Sequence, residues 1–253
     1  MTMLKKLANC ITLNPSLLIM VILLSACAPK KNQLPPPTAP TIPLETSFRT
    51  GDMSWWAFRF KMSWDSDTQV DRAMDLLLAH AVVEPVLREH AKKIYWWRFH
   101  RRAVRDKLGH QFSFLFYADS GVASEVMEEI RQSEILQQAL NEKIVEKIMF
   151  SDPAKPIRPK IEAMSDPHWS QTLQRNWPSY IMGVCALWLG LIDDQMALVT
   201  TQNLHVSGLL ELYREADTAI TSMWRKEGQH ALLHHLNAIF GYEPLLIRKE
   251  IMF

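Results

Sequence analysis

Cysteine is scarce in this chain: Cys10, Cys27 and Cys185 are the only three in 253 residues. Cys10 and Cys27 fall at an N-terminal leader, so Cys185 has no partner for an intramolecular disulfide. It lies in the apolar run MGVCALWLGL and reads as a buried small hydrophobe. An excess of one charge sign is also missing. Lys and Arg number 28 against 27 Asp and Glu, a formal charge of +1. That balance excludes the basic footprint of a nucleic-acid-binding domain, and no nucleic-acid partner is expected. There is no G-x-S-x-G elbow, no P-loop, no Gly-rich dinucleotide turn and no internal repeat. Ser, His and Asp are present, but no local arrangement marks a nucleophile. No cofactor and no metal site is expected.

What is there begins at the N-terminus. Lys5 and Lys6 form a short positive region, Ser16–Leu24 is apolar, and Leu24-Ser25-Ala26-Cys27 follows. Charge, apolar core and small residues in that order specify a signal peptide over residues 1–26. Its ending resembles a bacterial lipoprotein lipobox, which implies lipidation of Cys27 and attachment to a membrane. Ala28, in place of the Asp of inner-membrane lipoproteins, points to the outer membrane, with the body facing the periplasm. Losing Lys5 and Lys6 with the leader takes the formal charge from +1 to −1. The proline-rich segment after Cys27, to residue 46, reads as an extended tether.

The body, 47–253, reads as one unit with a possible subdivision near 151–168, where four prolines break the pattern. Trp55–Met62 alternates aromatic and basic residues and predicts a strand. Asp65 or Asp67 can cap the helix that follows. Its apolar stripe includes Val70, Met74, Leu77 and Ala81, and Pro85 should kink or break it. Trp96–Val104 and His110–Tyr117 predict a hairpin turning at Gly109. Phe112, Phe114 and Phe116 give its second strand one greasy face and one mixed face. A helix from Ser120 follows, with a further short helix expected at Asn141–Met149. Tyr180–Ile192 reads as a buried core helix, too short to span a bilayer. Asp193-Asp194 reads as a solvated acidic pair at its end. Val206–Trp224 is amphipathic, and His230–Phe240 predicts a last helix capped by Gly241. The expected class is α+β: an antiparallel sheet with long helices on one face, then a mainly helical C-terminal part.

Several stretches carry a family resemblance. They are Trp55, DLLLAHAVVEPVL at Asp75–Leu87, WWRFHRRAVRDKLGHQFSFLF from Trp96, Trp224, and HALLHHLNAIFGYEPLL from His230. Together they resemble the elimination-type domain at the C-terminus of lanthipeptide dehydratases, which also stands alone in thiopeptide biosynthesis. The resemblance implies glutamate elimination from modified Ser or Thr side chains of a peptide, or a related cyclisation. Such chemistry needs a base for the α-proton, an acid for the leaving group and cations for an enolate-like oxyanion. Carried over residue by residue, the catalytic candidates are Arg101 or Arg102, His110, and His234 or His235, with Asn237 beside them. Phe112 and Phe114 stand where the family has two arginines, and Ala238 replaces another. The expectation is therefore a lipid-anchored peptide-binding or accessory protein, its cleft lined by Trp55, Trp97, Arg101, His110 and His235. An active peptide-modifying lyase and a purely structural envelope lipoprotein are the alternatives. His230 and His234 stand at i, i+4, a spacing that can bind zinc, but HALLH lacks the metalloprotease Glu.

Overall fold

The computed structural model describes residues 53–64, 70–102, 109–199 and 205–244, all within one compact unit. The leader, Cys27, the tether, and Asp65 and Asp67 lie outside the described residues. The fold is α+β. Strand β1 spans Ser54–Met62, β2 Trp96–Arg101, β3 Gln111–Ala118 and β4 Val145–Phe150. They form one antiparallel sheet in the order β2-β3-β1-β4. Gly109, two residues before β3, holds φ at +74°, a conformation that costs a side chain with a Cβ; the expected strand end at Val104 lies outside the described residues.

Period-two alternation sets the two faces of the sheet. Trp56, Phe58, Phe60, Phe112, Phe114 and Phe116 lie on one face, each no more than 1% exposed. The helices pack there. Helix α1 (Ala73–Leu77), a π-helical segment at Leu78–Val83 and helix α2 (Glu84–Glu89) run on from one another. Asp71 accepts from the Ala73 amide at 3.1 Å and opens this run. Pro85 does not break it. Proline lacks an N–H and its ring crowds the carbonyl four residues back. The wide turn lies immediately before Pro85 and takes up that conflict.

Helices α3 (Ser120–Gln132) and α4 (Glu134–Asn141) follow, capped by the side chains of Asp119 and Ser133. The helix expected over Asn141–Met149 is instead a turn and strand β4. Lys143, at φ 59°, ends α4 and reverses the chain. Ile144, Val145, Ile148 and Met149 have helical spacing, but β4 pairs with β1 from Met62 to Phe58. Tertiary pairing overrides the local pattern here.

Residues 151–164 belong to the same compact unit as the sheet. They return across the second face of the sheet: Trp55 donates to the Ile161 carbonyl at 2.8 Å and Tyr117 to that of Pro159 at 2.8 Å. Leu115, also on this face, is buried, where a solvated mixed face would leave it exposed.

Helix α5 spans Gln171–Met196 and is twice as long as the apolar stretch suggested. It lies along β2, where the Phe99 amide donates to Cys185 Sγ at 3.3 Å. Cys185, Leu189, Ile192 and Met196 face inward, whereas Tyr180, Val184 and Leu187 are exposed. A helix buried all round is thus replaced by one covered on a single face. Among the described residues no helix is long and apolar enough to cross a membrane. Helix α6 (Val206–Gly228) packs on α1, with Arg214 held to Asp71 at 2.7 and 2.9 Å. A second π-helical segment (Gln229–His234) and α7 (His235–Ile239) continue α6. Gly241, at φ 69°, stops the run as expected.

Candidate functional site

Arg101 and His110 meet, but through a third residue. Arg101 Nε donates to Asp75 Oδ2 at 2.6 Å, and His110 Nε2 lies 2.8 Å from Asp75 Oδ1. A carboxylate only accepts, so Nε2 carries the proton. Asp75 is 1% exposed and His110 3%. Arg101 also reaches the Arg72 carbonyl at 3.3 Å and lies over the Trp188 ring. The cluster is a closed internal network that ties β2 and β3 to α1 and α5. It offers a substrate no free donor from His110.

The C-terminal histidines stand elsewhere. His234 and His235 are exposed, and their ring neighbours are each other, His230 and Tyr242. Among the described residues no hydrogen bond, ion pair or ring contact joins either histidine to Arg101 or His110. The backbone carbonyl of Asn237 accepts from the Tyr242 amide at 2.9 Å, a helix-end bond. Trp55 is 3% exposed and donates to the Ile161 carbonyl. Trp97 lines a cleft of about 220 Å³, with Leu87, Ile94 and Leu189. The structure thus does not assemble the five expected cleft residues. Sequence spacing cannot show that α6 carries the last histidines away from the sheet.

The other hairpin cations lie on the second face of the sheet. Strand register places Arg59, Ser113 and His100 side by side on β1, β3 and β2. Arg98 is the next residue of β2 on that face, and Arg102 continues the alternation beyond its end. Arg59 and Arg98 have no carboxylate partner among the described residues, and Arg98 Nε is buried without a hydrogen bond. The Arg98 guanidinium rests over the Trp177 ring, 4.8 Å from its centroid. Burial, then Arg158 and Arg102, push Arg59 below its ordinary pKa. Burial, then Arg98 and Arg102, do the same to His100. In both cases burial is the larger cause and the neighbouring guanidinium groups the smaller one.

A third cluster was not foreseen in the sequence. His80, Glu84 and Asp193 converge at a cleft of about 650 Å³ walled by Ala81, Pro85, Ile135 and Leu209. His80 Nε2 lies 2.9 Å from Asp193 Oδ1, and its Nδ1 lies 2.6 Å from the Tyr213 hydroxyl. Arg88 bridges Glu84 Oε1 at 2.6 Å and Asp193 Oδ2 at 2.9 Å. Burial pushes the Glu84 carboxyl above its usual range, against the pull of Arg88. Burial also pushes the Tyr213 phenol well up. Asp193 is therefore not the solvated residue its sequence neighbourhood suggests; its neighbour Asp194 is exposed. The one legible signal was the i, i+4 spacing of His80 and Glu84.

No protein-family model, no curated protein and no solved structure matches this chain.

Proposed function

We propose that this chain is a lipid-anchored protein of the bacterial envelope that binds an acidic peptide on the cationic face of its sheet. The observation that carries the peptide assignment is the row of Arg59, Ser113 and His100 beside Arg98, with Arg59 and Arg98 lacking carboxylate partners among the described residues. Residues two apart on a strand repeat every ~6.8 Å, so Arg98 and His100 match the alternate side chains of an extended peptide. A bilayer surface would lie against a fully exposed patch, whereas Arg98 is largely desolvated between the sheet and Trp177. Binding is favoured over lyase chemistry because Arg101 and His110 are committed to the buried Asp75 carboxylate. The anchor rests on Lys5, Lys6, the apolar run and the Leu-Ser-Ala-Cys ending at Cys27. The proline-rich tether then holds the body off the outer membrane, in the periplasm.

Two measurements test this. A labelled peptide with glutamate at alternate positions should bind, with an affinity that falls steeply as salt rises. The Arg59→Gln/Arg98→Gln variant should bind it at least roughly tenfold more weakly, a loss of about 1.4 kcal/mol. Equal binding by that variant, or preference for anionic vesicles over the peptide, would sink the peptide assignment. Separately, Cys27→Ser should abolish lipid labelling and membrane association in cells. A variant still labelled with lipid would remove the anchor from the proposal.

A further inference from the structure

We infer that the helix-side cleft holds a divalent transition ion of the zinc type on His80 Nε2, Glu84 Oε2 and Asp193 Oδ1. Four observations converge on that point. First, the ligand atoms are already gathered. Nε2 lies 2.9 Å from Asp193 Oδ1 and 3.8 Å from Glu84 Oε2, and one ligand atom from each of the three residues lies within 4.8 Å of the others. Tetrahedral zinc with bonds near 2.1 Å separates its ligands by ~3.4 Å. The two shorter edges straddle that value. The third edge, between the two carboxylates, is at most 4.8 Å.

Second, the oxygens are divided between two tasks. Arg88 takes Glu84 Oε1 and Asp193 Oδ2, the two oxygens turned away from His80. Oε2 and Oδ1 remain directed at Nε2. Arg88 can stay in place and orient both carboxylates from behind. Third, His80 Nδ1 is 2.6 Å from the Tyr213 hydroxyl, and Tyr213 is 2% exposed. An outer hydrogen bond on the second ring nitrogen is the usual way to fix a metal-binding imidazole. When the ion takes Nε2, the proton held there moves through solvent to Nδ1, and Nδ1–H donates to the Tyr213 oxygen. Fourth, His80 sits in a π-helical segment, a local widening that recurs at functional sites.

The donor set selects the ion. One imidazole with two carboxylates suits zinc or its first-row neighbours; calcium and magnesium prefer oxygen alone. Two carboxylates balance the charge of the ion. With three protein ligands, at least one position opens into the cleft for water or for a carbonyl or carboxylate of a bound molecule. The ion takes the helix side of the sheet, and the proposed peptide the other side.

Cobalt(II) tests the site on the full mature protein in detergent, after chelation and dialysis. One equivalent should give visible ligand-field bands, and zinc should displace it. Asp193→Asn and Glu84→Gln should each weaken zinc binding by roughly 100-fold, about 2.7 kcal/mol, in competition with a chromophoric chelator. Zinc should raise the Tm of the parent protein and leave that of Asp193→Asn unmoved. The exposed histidines supply the control. His230→Ala/His234→Ala/His235→Ala should keep the bands, and so should Arg59→Gln/Arg98→Gln. Bands lost in the triple-histidine variant and kept in Asp193→Asn would overturn the inference. So would a parent protein that binds neither ion, which would leave His80, Glu84, Arg88 and Asp193 as an ion-pair network alone.

Discussion

Asp75→Ala is expected to cost about 3–5 kcal/mol of folding stability and to lower the Tm by roughly 6–20 °C. The carboxylate is 1% exposed and receives two donors, Arg101 Nε at 2.6 Å and His110 Nε2 at 2.8 Å. Removing it leaves His110 buried without that partner, and leaves Arg101 with the Arg72 carbonyl at 3.3 Å and the more distant Asp217 carboxylate at 3.9 Å. Breaking a buried pair costs far more than the pair itself contributes, because the surviving groups stay desolvated. Asp75→Asn should fall between. Its amide oxygen satisfies one donor, while its NH₂ faces the other. Replacing all three together, as Asp75→Leu, His110→Leu and Arg101→Met, should recover most of the loss. Denaturant unfolding of the three variants decides the matter. A loss below about 1 kcal/mol for Asp75→Ala would mean that the network is solvated. His110 and Arg101 would then return as accessible groups, and the lyase alternative with them.

The periodicities that were legible in the sequence are those in which one face is buried by neighbours close in the chain. Phe112, Phe114 and Phe116 announced β3, and Trp55–Met62 announced β1, because alternate residues fill a single core. Strand β4 was not legible. It is an edge strand, half-exposed, and its apolar residues happen to fall at helical spacing. The length of α5 was hidden for a related reason: its first turns are polar and lie outside the apolar stretch. The candidate site fared worse. Asp75 sits inside a leucine-rich run and carries no local mark of its role. It is a partner for Arg101 only because β2 crosses α1. Asp193 lies more than 100 residues along the chain from His80 and Glu84. A helix-end Asp-Asp pair has no feature that says which carboxylate turns inward. What sequence supplied was residue chemistry and local period; which side chains meet depends on packing.

Phe99→Ala is the second large effect, again about 3–5 kcal/mol, and it links the core to the proposed ion site. Phe99 is 7% exposed on β2. Its ring centroid lies 5.2 Å from Phe112, 5.4 Å from Trp97, 5.7 Å from Trp188 and 5.9 Å from Phe114. Trp188 belongs to α5, so this ring is where the sheet seats that helix. The same helix carries Asp193. Truncating Phe99 opens a cavity under α5, and a cavity costs the lost transfer energy plus the contacts that its walls no longer make. Leucine keeps most of the volume, so Phe99→Leu should cost roughly 1–2 kcal/mol. The pair of variants separates two roles. If α5 is held in register by this ring, Phe99→Ala should lower both Tm and zinc affinity, although it touches none of the ligands. Phe99→Leu should lower Tm slightly and leave the affinity near that of the parent protein. Unchanged affinity in a folded Phe99→Ala protein would place the anchorage of α5 elsewhere, at Cys185, Leu189 and Ile192 against the core. A stability loss below about 1 kcal/mol would mean that the aromatic cluster closes around the missing ring, because the cost of truncation follows the cavity that remains.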